Sequence, residues 1–268
     1  MIKSALGVMV KTSGPAAISI LKEIRTALDA VGAGKGRPAP EARPKNPVRI
    51  LGVKPTAIRA VAREVATRYK ASLDYAGAVA LFDAAAGRKV QEEILVAIEV
   101  LDRFRRDFAP SLLSHVDKWS ALSDDMDLAG AMGERIAGPA LALDPAKMVA
   151  VRRWARTRST GKRRLAILAV GALISGSGRD VASALEVCGL LLTEENPVLV
   201  TEVAALLRAS TKVDAKAVQD FLFRRSIDGN PEILRAGSEN LDAARRAALI
   251  AKLEAQAGIP APVAATEG

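Results

Sequence analysis

DPAKMVAVRRWARTRSTGKRRLAILAVGALIS, residues 144–175, sets the pattern of the whole chain. Asp144-Pro145-Ala146 is a helix start: a short acceptor side chain, then a ring already fixed near helical φ. A helix over Met148–Arg156 follows. The polar turn Ser159-Thr160-Gly161 interrupts it, and a second, largely apolar helix runs over Lys162–Ser175. Neither half alternates with period two, so neither reads as a strand.

The same grammar extends in both directions. Pro55 opens a helix whose Ile58, Val61, Val65 and Tyr69 line one face. Leu73–Ala86 and Lys89–Arg105 follow; Glu92 and Glu93 lie early in the latter, where a helix dipole favours acids. Pro110–Trp119 and Asp124–Ile136 come next. Beyond the opening stretch lie Gly178–Leu192, Pro197–Ser210, Asp214–Arg225, Glu232–Ala236 and Asp242–Ala257. Before it, residues 1–31 read as N-terminal helices broken at Ser13–Pro15. Residues 32–48 read as a flexible linker or loop, and 258–268 as a disordered tail. Helix pairs of roughly 35–45 residues with short turns predict an all-α, HEAT-like α-solenoid over 49–257, with stacked antiparallel helix pairs and a concave basic surface.

Composition narrows the chemistry. Of 268 residues half are apolar and only 3% aromatic, so the core is built from Ala, Leu, Val and Ile. One cysteine, Cys188, leaves no internal disulfide framework and no cysteine-based zinc site. One histidine, His115, leaves no histidine-rich metal site, and no nucleophile motif accompanies it. No metal or cofactor is expected. No apolar run reaches the ~20 residues that span a bilayer, so no membrane partner is expected and the chain reads as cytoplasmic. The formal charge of +9 favours a polyanion. Its densest source is Arg152, Arg153, Arg156, Arg158, Lys162, Arg163 and Arg164: seven cations and no acid in thirteen residues. A solvated helix face normally interleaves acids, so this run reads as a phosphate contact, with the Ser159-Thr160-Gly161 turn adding a helix N-terminus.

Three stretches resemble the AlkD-like DNA alkylation repair glycosylases. Leu51-Gly52-Val53-Lys54-Pro55-Thr56-Ala57-Ile58-Arg59 is similar to that family's Leu-Gly-Val/Ile turn before a helix with an early Arg. Val116-Asp117-Lys118-Trp119 through Ser123-Asp124-Asp125-Met126-Asp127-Leu128-Ala129 resembles its Trp-Asp-x-Val-Asp helix. Trp154 through Lys162-Arg163-Arg164-Leu165-Ala166-Ile167 resembles its Arg-Arg-x-Ala-Ile helix start. Val203–Arg208 is a weaker echo.

The resemblance implies a groove of stacked helices holding double-stranded DNA, and release of N3- or N7-alkylated purines. It makes Asp127 the catalytic carboxylate, Asp124 the first acid of the motif, and Arg164 the catalytic-site Arg that holds the backbone beside the lesion. Lys54, Arg59, Arg153, Arg156, Lys162 and Arg163 are the expected DNA-binding residues. Two positions depart from the pattern. Ser123 and Ala205 stand where the family has tryptophans, whose π-faces attract a cationic base. A register matching Trp119 instead moves the acid position to Ser123 or Asp124. Two alternatives stay open: a non-catalytic nucleic-acid-binding relative, and a helical-repeat scaffold for a protein partner.

Overall fold

The computed structural model describes residues 14–32, 48–176 and 180–256. The expected helix before Ser13, residues 33–47 of the expected loop and the tail 258–268 lie outside the described residues. Those described are helical with no strand; one isolated parallel bridge joins Arg49 and Val90. Among them no helix is long and apolar enough to cross a membrane.

The chain divides into two units, and the boundary falls between Asp107 and Phe108. The first contains α1 (Gly14–Val31), α2 (Pro55–Arg68), α3 (Tyr75–Arg88), α4 (Gln91–Asp102) and a 3-10 turn at Arg105–Asp107. Ile20, Leu21, Ile24 and Leu28 of α1 are buried against α2, α3 and α4. Asp74 caps α3 by accepting from the Gly77 amide at 2.8 Å. Lys89 ends it in the left-handed conformation, φ 54°.

Glu92 and Glu93 do more than start α4. Both are buried. The Glu92 carboxylate accepts from the backbone amides of Leu51, Gly52 and Val53. This cup of amides fixes the Leu51–Val53 turn, and Gly52, at φ 83°, takes a conformation a side chain would oppose. Glu93 ion-pairs with Arg25 at 2.7 Å and Arg88 at 3.2 Å, tying α1 and α3 to α4.

The second unit contains α5 (Leu112–Trp119), a 3-10 turn (Ser120–Leu122), α6 (Met126–Met132), a π turn (Gly133–Ala137) and α7 (Gly138–Leu143). A 3-10 turn (Pro145–Lys147), α8 (Met148–Ala155), α9 (Thr160–Ser175), α10 (Val181–Leu190) and α11 (Pro197–Thr211) follow. The unit ends with α12 (Ala215–Arg224), α13 (Pro231–Gly237) and α14 (Ala243–Gln256). The expected Asp124–Ile136 helix therefore starts two residues later and widens into a π turn before α7.

Helix starts repeat one device. Asp125, Ser159, Asp180, Asn196, Asp214 and Asn230 each accept from an amide in the first turn of their own helix. Each such cap contributes about 1 kcal/mol. Pro197 and Pro231 sit at first positions, where a missing N–H costs nothing. α9 is the hub. Leu165, Ala166, Ile167, Ala169 and Val170 are buried in succession, so it is covered on nearly every side. It packs on α6, the π turn, α7, α8, α10 and α11; α11 in turn packs on α12 and α13.

Candidate functional site

The expected arginine meets the backbone of the residue before the expected acid, where α6 and α9 begin. Asp125, not Asp124, caps α6, accepting from the Leu128 amide at 3.0 Å. Ser159 caps α9, accepting from the Lys162 amide at 3.1 Å, and its hydroxyl donates to Asp124 at 3.0 Å. The two helix starts are thus tied to each other. Gly161 makes the approach possible: a Cβ there would stand 1.5 Å from the Ser123 carbonyl oxygen.

Arg164 crosses the same junction. Its Nη1 donates to the carbonyl oxygen of Met126, and its Nε pairs with Glu202 of α11 at 2.7 Å. Asp127 is the next residue after Met126, in the first turn of α6, and it is exposed rather than buried. Arg164 therefore fixes the backbone that carries Asp127 through Nη1 and ties it to α11 through Nε.

The basic run looks different in space. Arg152 pairs with Glu186 at 2.7 Å, Arg153 with Asp117 at 2.6 Å and Arg163 with Glu194 at 2.8 Å. With Arg164 and Glu202, four of the seven cations meet an acid from another element. Arg163 also donates to the carbonyl oxygens of Thr157 and Arg158 and so shapes the α8–α9 turn. Arg156, Arg158 and Lys162 hold no ion pair among the described residues; the two arginines are exposed and Lys162 is half-buried. Lys54, exposed at the N-cap of α2, and Arg59, 4.0 Å from Glu99, belong to the first unit.

Asp117 gathers two donors on one oxygen, Trp154 Nε1 at 2.8 Å and Arg153 at 2.6 Å. Burial pushes its carboxyl up, but those hydrogen bonds outweigh burial and hold it below the usual range. Glu202 goes the other way: burial dominates, nearby Glu134 adds to it, and the carboxyl is raised despite Arg164.

The tryptophan-equivalent positions have opposite environments. Ser123 is fully buried beneath Gly161 and donates to the Ser120 carbonyl at 2.7 Å, which leaves no volume for an indole. Trp119, one turn earlier, is buried with its ring 5.4 Å from that of His115. Ala205 instead is exposed on the rim of a cavity. Glu202, which secures Arg164, was not singled out by sequence; only its place three residues before Ala205 pointed toward it.

Comparison with known proteins adds one finding. No curated protein matches the chain. The family model described as DNA alkylation repair enzyme matches residues 24–241. That match takes in both units, the α6–α9 junction and all the expected site residues, and the chain belongs to the DNA alkylation repair enzyme family.

Proposed function

We propose that the protein binds double-stranded DNA and releases N3- or N7-alkylated purines from it, with the α6–α9 junction as the reacting site. The observation that carries this reading is the hydrogen bond from Arg164 to the Met126 carbonyl, which fixes the backbone beside Asp127. An alkylated purine already carries positive charge, so its glycosidic bond breaks toward an oxocarbenium-like sugar. The exposed Asp127 carboxylate is accessible to that sugar, and a duplex covering it lowers the local dielectric and strengthens its effect on the developing charge. Water adds to the sugar carbon as the base leaves.

Arg156, Arg158 and Lys162 hold the phosphates, since none of them is locked in a close ion pair among the described residues. Each unit adds cations of its own, Lys54 and Arg59 in the first and Arg153 and Arg163 in the second, of which only Lys54 is outside an ion pair among the described residues. Within the second unit, a HEAT-like stacking of helix pairs suits this role. It is supported by recurring contacts about one helix pair apart: Trp154–Asp117, Ser159–Asp124, Arg164–Glu202 and Asn230–Glu194 are separated by 37, 35, 38 and 36 positions.

Buried Ser123 and small Ala205 favour a second reading, a DNA-binding relative without base release. Incubating N-methylated duplex with the protein and chromatographing free 3-methyladenine and 7-methylguanine separates the two. Protein-dependent release supports the first. Steeply salt-dependent binding without release supports the second, and no binding at low salt rejects both.

A further inference from the structure

Glu202 sits on α11 but serves α9: its Oε1 accepts from Arg164 Nε at 2.7 Å. Two further contacts seat Arg164. Its Nη1 donates to the Met126 carbonyl, and its guanidinium lies over Gly130, where a Cβ would stand 3.3 Å from Nη1 and 3.5 Å from Cζ and Nη2. The other Glu202 oxygen, Oε2, is buried and makes no hydrogen bond. Two charged groups act on this carboxylate, Arg164 of α9 and Glu134 of the π turn. Both acids border a cavity of about 340 Å3 between α9 and α11, and no other titratable residue lines it. The other charged residue of α11, Arg208, is engaged by the Ala236 carbonyl and Glu239.

Burial favours the neutral form of Glu202, and the charge of Glu134 favours it further; Arg164 alone opposes them. Protonation exchanges a charge-assisted hydrogen bond for a neutral one, roughly half as strong. We propose that Glu202 is a positioning residue for base release: as a carboxylate it orients Arg164 on the Met126 carbonyl and so holds the backbone of Asp127, and when protonated it loosens that hold and slows the reaction. This rests on the α6–α9 junction being the reacting site. It adds a control on that site by pH, exerted from α11 through Arg164.

The pH profile of single-turnover 7-methylguanine release tests it, with the full chain saturating a methylated duplex and uncatalysed loss subtracted. Rates are followed from about pH 8 down to the onset of acid unfolding. The wild type should slow as pH falls through the raised range of the Glu202 carboxyl. Glu202→Gln has the shape of the protonated acid and cannot titrate. It should be about 10-fold slower on the alkaline plateau and lack that acid limb, with duplex affinity nearly unchanged. Glu134→Gln, an exposed change, carries the test should that variant not fold. It should keep the plateau rate and move the limb to lower pH, because the second negative charge is gone. Superimposable profiles of wild type and Glu202→Gln overturn the proposal. So does a limb that Glu134→Gln leaves in place, or a loss in Glu202→Gln that falls on duplex affinity instead of rate. Absence of release by the wild type at every pH defeats the reading of the junction itself, and the proposal with it.

Discussion

Arg164 and Glu202 form an ion pair of 2.7 Å between α9 and α11, with side-chain exposures of 20% and 16%. Arg164 reaches from that pair to the Met126 carbonyl, so one guanidinium secures three elements. Removing it leaves a desolvated carboxylate and an unpaired carbonyl. Arg164→Ala is expected to cost about 3 kcal/mol of stability by urea denaturation. The double variant Arg164→Ala/Glu202→Gln should recover part of that loss, because the orphaned charge is gone.

The cations divide into two functional groups. Arg156→Ala, Arg158→Ala and Lys162→Ala should each reduce the slope of log K against log salt for duplex binding by about 0.9. Their melting temperatures should stay near wild type. Arg163→Ala should instead destabilise the chain, because it removes the Glu194 pair and the hydrogen bonds that hold the Thr157–Arg158 turn.

Asp117 supplies a pH dependence of known sign. Its folded carboxyl is held below the ordinary range, so its contribution is complete above the unfolded pKa of ~3.9 and is lost as pH falls through the folded value. The stability gap between wild type and Asp117→Asn should be constant near neutrality and should narrow at acid pH. Urea midpoints across that range measure it. A gap that widens on acidification contradicts the assignment.

Gly161→Ala places a methyl against the Ser123 carbonyl, 1.5 Å from its oxygen in the native backbone. The obstacle is backbone, not a flexible side-chain tip, so α9 must shift. A loss of about 3 kcal/mol or more is expected, at or beyond the upper end for overpacking. Thermal melting followed by circular dichroism reads it directly.

Much of this architecture is written locally. Asp144, Ser159, Asp214 and the prolines at 197 and 231 announce helix starts, because a cap needs only the next three residues. The charge state of the basic run is not local. Its partner acids Asp117 and Glu202 lie 36 and 38 positions away, one helix pair distant, and a reading of thirteen residues cannot see them. The π turn at Gly133–Ala137 was equally hidden: its residues fit a continuous apolar helix pattern, and only tight packing under α9 distinguishes it. Glu92 and Glu93 read as first-turn acids; their burial follows from the Leu51–Val53 amides and from Arg25 and Arg88.

The most direct test is the single-turnover rate of 7-methylguanine release from a methylated duplex, compared between wild type and Asp127→Asn at saturating protein. A transition-state role for the Asp127 carboxylate predicts measurable release by wild type and a loss of at least ~100-fold in the variant, with duplex affinity nearly unchanged. Equal rates in the two proteins, or no release by wild type, contradict it.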